Sequence, residues 1–147
     1  MKNLEFLEGI TVRQFIKLFK FPIMILLIHS FFAYLDLYRT IFWIDIPMHF
    51  LGGMALGYSL SLFLRIIQNN GHLGKTHEII FFGLVVSLVA LAAITWELLE
   101  FSLDLIDNAM RQPSLANTMK DLFLGISGGM IGYSINRMRN LINNKTR

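Results

Sequence analysis

The sequence predicts an all-α fold, a polytopic membrane helix bundle of about four transmembrane helices that follow an N-terminal amphipathic segment. Two observations carry this prediction. Hydrophobic residues make up 54 % of the 147-residue chain and aromatic residues 13 %, which is more apolar surface than a soluble domain of this length can bury. The apolar residues also gather into four stretches that approach the roughly 20 residues a membrane-spanning helix needs.

The first element is an amphipathic segment over residues 1–20. Its charged residues alternate with apolar ones and include Glu5, Glu8, Arg13, Lys17 and Lys20. No small-residue cleavage site follows the first apolar run, so the pattern is not that of a cleaved signal peptide. We expect a mature segment that lies in the membrane interface.

Four spans follow, near residues 21–35, 44–64, 79–99 and 118–135. The connection at 65–78 contains a Gln-Asn-Asn-Gly turn, and the connection at 101–117 contains Pro113. No repeat or low-complexity segment divides the chain. We therefore expect a single membrane domain over residues 1–147.

The distribution of lysine and arginine predicts the orientation, because cytoplasmic loops carry an excess of both. Ten of these residues precede the first span, separate the second from the third, or follow the fourth: Lys2, Arg13, Lys17, Lys20, Arg65, Lys75, Arg137, Arg139, Lys145 and Arg147. The other connections hold only Arg39 and Arg111, with Lys120 at the start of the last span. We expect a multi-pass protein of the plasma (inner) membrane with both termini in the cytoplasm.

Composition excludes several functional classes. The chain has no cysteine, which excludes a disulfide framework, a thiolate metal site and a cysteine nucleophile. Its net charge of +3 is modest, and its basic residues do not form an aromatic-laced stripe, so we expect no nucleic-acid partner. Membrane lipids are the expected partners.

Glycine spacing predicts which helices pack most closely. Gly53 and Gly57 are four apart in the second span, and two such pairs occur in the fourth: Gly125 with Gly129, and Gly128 with Gly132. Small residues at this spacing let two membrane helices approach backbone to backbone, so we expect the tightest crossing between these spans. The same faces are candidate contacts of a homo-oligomer. The alternative is that glycine is simply common in membrane helices.

Ionisable residues near the hydrocarbon are the most informative feature, because each costs roughly 2.5 to 3.5 kcal/mol to insert. Asp45 and His49 are four apart at the outer end of the second span, so a helix places them on one face. Glu97 and Glu100 lie where the third span reaches the same surface, and Asp121 opens the fourth. The topology thus predicts that three helix ends bring these side chains to a common depth.

Two interpretations of this convergence are open. In the first, Asp45, His49, Glu97, Glu100 and Asp121 form a catalytic site in which His49, Glu97, Glu100 and Asp121 hold a divalent metal, Mg²⁺, Mn²⁺ or Zn²⁺. In the second, the same groups hydrogen-bond one helix to the next or are solvated among the headgroups.

Other polar and aromatic residues have simpler expectations. Asp36, Asp104 and Asp107 lie further toward water and are expected to be solvated. His29 is expected to hydrogen-bond a neighbouring helix. Four aromatic residues at interface depth predict an aromatic belt: Trp43, Trp96, Tyr34 and Tyr38.

Three motifs occur in order at matching helix ends: D-I-P-M-H-F-L-G-G at 45–53, W-E-L-L-E-F at 96–101 and T-M-K-D-L at 118–122. Together they resemble the YjdF-like group of uncharacterised inner-membrane proteins, which is similar to the broader VanZ-like set, over about residues 43–133. The resemblance implies a membrane-embedded fold with an Asp, His, Glu, Glu and Asp constellation, and no established reaction. The chain departs from that pattern in its short length and in Asn117, where an acidic residue often precedes the last motif.

Three functional classes fit these features. The leading hypothesis is a metal-assisted enzyme that acts on a lipid-linked or headgroup phosphate at the outer leaflet, with Asp45 as orienter or base. The alternatives are a proton- or cation-coupled transporter, for which the inner halves of the spans lack a charged relay, and a non-enzymatic membrane assembly or envelope factor. Residues 97–121 are also similar to part of the small prokaryotic lipid kinases of the diacylglycerol kinase type. Those enzymes use cytoplasmic ATP, whereas the charge distribution here places the acids outside.

Overall fold

The computed structural model describes residues 11–107 and 111–145, and the predicted segment at residues 1–10 lies outside them. The described chain is helical without strands, which confirms the all-α class. Its helices are α1 (Val12–Leu18), α2 (Lys20–Tyr34), α3 (Leu37–Thr40), α4 (Asp45–Asn69), α5 (Glu78–Asp107) and α6 (Leu115–Lys145), and a short 3₁₀ turn (Phe42–Ile44) leads into α4.

The first helix is short and bent away from the second. A capping box starts it: the Thr11 hydroxyl accepts from the Gln14 amide, and the Gln14 side chain accepts from the Thr11 amide. α1 has no buried residue and meets α2 at 70°. An exposed helix set across the direction of its neighbour has the geometry an interfacial segment needs, and the interfacial assignment stays a prediction.

Two stretches are long and apolar enough to cross a membrane, Phe42–Asn69 and Glu78–Ile106, and the bent pair α1 and α2 makes a third if it counts as one span. α6 has 31 residues but falls short in apolar composition. By length and apolar composition, the described residues therefore contain two or three of the four predicted spans. The reason is that α6 is rich in glycine and polar side chains where it packs on α4, so less of it needs to be apolar.

α4 and α6 form the tightest crossing, as the glycine spacing predicted. A Cβ atom on Gly53 would overlap the carbonyl oxygen of Gly125, and one on Gly57 would overlap that of Gly129. The same holds for Gly132 against the carbonyl of Met54. Since residue numbers rise together along both helices, α4 and α6 run parallel, and α6 occupies the same depths as the spanning helix α4.

The remaining helices run antiparallel to these two. On α2, Ile25 is adjacent to Gly52 and Phe21 packs edge-on against Tyr58, so α2 runs opposite to α4. On α5, Val89 lies against Gly129, whereas Phe81 and Phe82 lie against Tyr133. Residue numbers on α5 therefore fall as those on α6 rise, so α5 runs opposite to α6.

Because the helices alternate in direction, the bundle has two chemically different ends. We call the end that holds Asp45, Glu97 and Asp121 the acidic end. The opposite end, with Arg65, Arg137 and the start of α2, is the basic end. Near the basic end, α4, α5 and α6 enclose an apolar core of Leu64, Ile67, Phe81, Val85 and Tyr133.

Candidate functional site

The structure brings together all five side chains that the sequence selected, and we call them the acidic cluster: Asp45, His49, Glu97, Glu100 and Asp121. Three are buried, with exposed fractions of 5 % for Glu97, 9 % for Glu100 and 1 % for Asp121. Asp45 and His49 are partly buried.

Local sequence explains how each helix delivers its groups. α4 begins at Asp45 with Pro47 in its first turn, where the missing amide hydrogen of proline has no helical partner to lose. Asp45 and His49 then fall one turn apart on the same face. α5 continues unbroken past Glu97 and Glu100, whose spacing of three also places both on one side of the helix.

His49 lies between carboxylates from two helices. Its Nε2 atom is 3.2 Å from Oδ1 of Asp45, one turn away on α4. Its Nδ1 atom is 3.8 Å from Oε1 of Glu97 on α5. Both ring nitrogens therefore face a carboxyl oxygen, and the Asp45 contact fixes the orientation of the imidazole ring.

Lys120 compensates the side of the cluster that α6 provides. Its Nζ atom is 3.3 Å from Oδ1 of Asp121 and 3.8 Å from Oδ2 of Asp45. The Asn117 side chain accepts from Lys120 at 2.8 Å and donates to Oδ2 of Asp121 at 2.5 Å. Asp121 is thus held by one cation and one amide.

The side that α5 provides has only neutral donors. Gln112 donates from Nε2 to Oε2 of Glu97 at 2.8 Å and to the Glu97 carbonyl at 2.7 Å. Trp96 donates from Nε1 to Oε1 of Glu100 at 3.0 Å. Among residues 11–107 and 111–145, neither glutamate forms an ion pair with a lysine or arginine.

Two buried carboxylate oxygens in the cluster lack a hydrogen bond, Oε1 of Glu97 and Oδ1 of Asp121. The Lys120 ammonium is close to the second, but not in hydrogen-bonding geometry. A buried acceptor without a donor costs roughly 1 to 3 kcal/mol, and more when it is charged. These two oxygens are therefore the atoms at which a bound cation would stabilise the site most.

The donor set fits a metal in two overlapping ways. Asp45, His49 and Asp121 each offer a ligand atom, and these atoms lie within 4.8 Å of one another. His49, Glu97 and Glu100 satisfy the same limit. One histidine with carboxylate oxygens suits Mg²⁺, Mn²⁺ or Zn²⁺.

Two of the aromatic residues predicted for the membrane interface contact this site. Trp96 bonds Glu100 and sets its ring edge-on to His29, with ring centroids 4.8 Å apart. Tyr38 is hydrogen-bonded to Nδ1 of His29 at 2.6 Å. Trp96 and Tyr38 therefore have polar partners inside the protein, and their place in an aromatic belt stays a prediction. Trp43 and Tyr34 remain exposed, as expected.

The Tyr38 hydroxyl is the donor in its bond to His29. Burial, aided by the Asp45 and Glu100 carboxylates, raises the pKa of Tyr38 well above its usual range, so the phenol keeps its proton. His29 thereby makes the interhelical hydrogen bond that the sequence predicted for it. It also joins the loop region after α2 to α5 through Trp96.

Other side chains lie in places that the sequence did not indicate. The sequence assigns Gln112 to a connection, yet it bonds Glu97 across the end of α5. Asn117 and Asp121 are four apart, and α6 begins at Leu115 rather than near residue 118, which puts both on one face. Asp104 pairs with Arg111 at 3.0 Å and stays outside the cluster.

Comparison with known proteins gives one result. No curated protein and no solved structure matches the chain. A family model described as "Predicted membrane protein" (DUF2238) matches residues 8–140, a range that contains the whole acidic cluster and all of the helices except the last turn of α6. The chain therefore belongs to this family of membrane proteins.

Proposed function

We propose that the protein is a membrane-embedded, metal-assisted enzyme that acts on the phosphate of a lipid headgroup or of another lipid-linked group. The observation that carries the proposal is the pair of three-residue donor sets that share His49. Such a site is expensive to build near hydrocarbon, and intramembrane ionisable clusters of this kind usually serve function.

Charge balance supports a cation in the cluster. Four carboxylates converge, and the positive partners among the described residues are Lys120 and, when protonated, His49. Like charges held this close repel one another unless a cation or a shared proton compensates them. A divalent ion is the compensation that also explains the unpartnered oxygen of Glu97.

We assign the metal to the α5 side, with His49, Glu97 and Glu100 as its ligands. This side has only neutral donors, whereas Lys120 already neutralises part of the α6 side. Asp45 then takes the place of the carboxylate that orients a metal-bound histidine through its other ring nitrogen. Asp121 completes the set from α6, either as a fourth ligand or as the group that holds Lys120.

The bound metal would polarise a phosphoryl oxygen and lower the pKa of a bound water. Lys120 is partly exposed at the rim, where its ammonium provides a second positive charge for a phosphate oxygen. The substrate is taken to be a lipid phosphate because the cluster lies at the end of two spanning helices, at headgroup depth.

We also propose the finer classification and orientation that the sequence suggested. The protein is assigned to the YjdF-like and VanZ-like set, in the plasma membrane, with the basic end and both termini in the cytoplasm. Reporter fusions after Arg39 and after Arg111 should report outside, and a fusion after Lys75 should report inside. An outside signal at Lys75 would invert the orientation and favour the lipid-kinase comparison.

The metal itself is tested by thermal unfolding of the purified protein in detergent. Adding Mg²⁺, Mn²⁺ or Zn²⁺ to chelator-treated protein should raise the melting temperature. At a free cation concentration a hundred times its dissociation constant, the gain corresponds to about 2.7 kcal/mol. A protein that melts at one temperature with chelator and with each of the three cations would refute the metal site.

A further inference from the structure

A pocket that is partly open to its surroundings, here called the cavity, lies next to the acidic cluster on the side toward the middle of the bundle. It has a volume of about 290 Å³ and is lined by residues of α2, α4, α5 and α6. Its walls are predominantly apolar, and the polar groups that reach it are His29, His49 and Trp96. All three belong to the cluster or to its immediate surroundings.

Small side chains create this space. Gly52 on α4 and Ala92 on α5 face it, where larger residues would fill the gap between the helices. A Cβ atom on Gly52 would be 3.8 Å from Ile25, an ordinary contact, so glycine is not required there for backbone packing. Gly53, in contrast, is required by the contact with α6. The cavity is thus more than a consequence of the α4 and α6 crossing.

The apolar lining of the cavity has no protein atoms to contact on its open side, so an apolar occupant would supply the missing dispersion contacts. The cavity volume is near the lower limit of small-molecule sites, about 300 Å³, and apolar walls with a few polar groups at one end are typical of such sites. The lining continues from His49 to Leu56 along the spanning stretch Phe42–Asn69, so we expect hydrocarbon around the end of the cavity that is remote from the acidic cluster.

We propose that this cavity binds one unbranched acyl chain of a phospholipid whose phosphate reaches the acidic cluster. The inference rests on the proposed function and names the substrate class of the same site. Continuity selects the occupant: the polar end of the cavity is His49, which is also the residue shared by both donor sets. A chain in the cavity therefore places its headgroup at the metal ligands.

Trp96 offers a direct readout, since it lines the cavity and the chain has only two tryptophans. Substitution of the other, Trp43→Phe, leaves Trp96 as the sole emitter at a small structural cost, because Trp43 is 58 % exposed. The full-length single-tryptophan protein in detergent and chelator is titrated with phosphatidic acid that carries bromine on one acyl chain. We expect saturable quenching, and no quenching by the unbrominated lipid.

Two variants show whether the cavity holds the chain. Gly52→Phe should fill it and weaken the saturable quenching at least tenfold. Gly83→Phe is the matched control, because Gly83 is exposed on α5 and a Cβ atom there would have no neighbour within 4 Å. Ala92→Leu fills the cavity from the opposite wall. If Gly52→Phe does not fold, the affinity measured by quenching of Ala92→Leu takes its place. Quenching of equal affinity in a folded cavity variant and in Gly83→Phe would overturn the proposal.

The experiment also distinguishes the chain from the metal and from other lipids. Quenching is measured in chelator, so it does not depend on a cation. Gly52→Phe should keep the cation-dependent rise in melting temperature, because it leaves every ligand in place. Saturable quenching without any cation response would refute the metal site and preserve the chain site. Stronger competition by a branched polyprenyl phosphate than by unbrominated phosphatidic acid would overturn the assignment to an acyl chain.

Discussion

The two ends of the bundle treat their charges differently. At the basic end, Glu78 receives both of its main partners from other helices, Arg65 on α4 and the Tyr133 hydroxyl on α6 at 3.0 Å. Arg65 also lies over the Phe81 ring, 3.9 Å from its centroid. At the acidic end, four carboxylates share one lysine and one imidazole. Compensated charge joins helices, whereas uncompensated charge at a comparable position indicates a ligand.

The buried side-chain atoms without a hydrogen bond also differ between the two ends. Near the basic end, the orphan acceptors are neutral, Oγ of Ser59 and Oδ1 of Asn136, and Asn136 also donates to Ser61 at 2.7 Å. At the acidic end, the orphan atoms are carboxylate oxygens. A neutral acceptor is satisfied by a single water, but a buried anionic oxygen needs a cation or a proton.

Close backbone contacts at Gly53, Gly57, Gly128 and Gly132, here called the glycine seam, hold α4 against α6. Disrupting the seam should have the largest effect on stability. Gly128→Leu or Gly132→Leu should lower the free energy of unfolding by about 3 kcal/mol, since a side chain at either position would overlap the α4 backbone. Unfolding by SDS titration in mixed micelles measures the loss. Gly83→Leu, which meets open space, is the control. Parent-like stability of both seam variants would show that the bundle does not depend on close packing of α6 against α4.

Identical substitutions at the two ends should give opposite results. In chelator, Glu97→Gln should leave stability unchanged or slightly higher, because repulsion within the cluster is relieved. It should also abolish the cation-dependent gain of about 2.7 kcal/mol. Glu78→Gln should lower stability by about 0.5 kcal/mol with or without cation, because its ion pair is partly exposed.

Thermal unfolding of both variants and the parent, with and without Mg²⁺, measures this contrast. Glu100→Gln and Asp121→Asn extend it to the other carboxylates. If Glu97→Gln melts lower than the parent in chelator, and no cation stabilises the parent, the cluster is a set of interhelical hydrogen bonds. The two ends would then differ in composition and not in role.

The sequence predicted the five members of the cluster because each depends on a single helix end. Helical periodicity places Asp45 with His49 and Glu97 with Glu100, and alternating topology brings the ends together. The α4 and α6 crossing was predictable for the same reason, since glycine spacing is a property of one helix at a time.

What the sequence did not predict depends on contacts between elements. The bond from Gln112 to Glu97 requires the chain to turn back after α5, and no local pattern encodes that return. The partners of Trp96 and Tyr38 are likewise missing from the local sequence pattern, because Tyr38 reaches His29 only when the chain turns after α2. The weaker apolar character of α6 has a related reason. Hydropathy describes contact with lipid, and α6 uses much of its surface against α4.

Tyr38 tests how far the acidic end extends beyond the cluster, with the smallest expected effect. Tyr38→Phe removes the donor to Nδ1 of His29, which is part-buried, and should lower the free energy of unfolding by about 1 kcal/mol. Tyr34→Phe is the matched control on the preceding helix, because Tyr34 is 85 % exposed and should give no change. Unfolding in mixed micelles measures both. Since His29 holds Trp96 and Trp96 holds Glu100, Tyr38→Phe should also weaken the cation response, but less than Glu97→Gln does. Equal stability of the two tyrosine variants would restrict the acidic end to the cluster itself, and the connection after α2 would have no part in it.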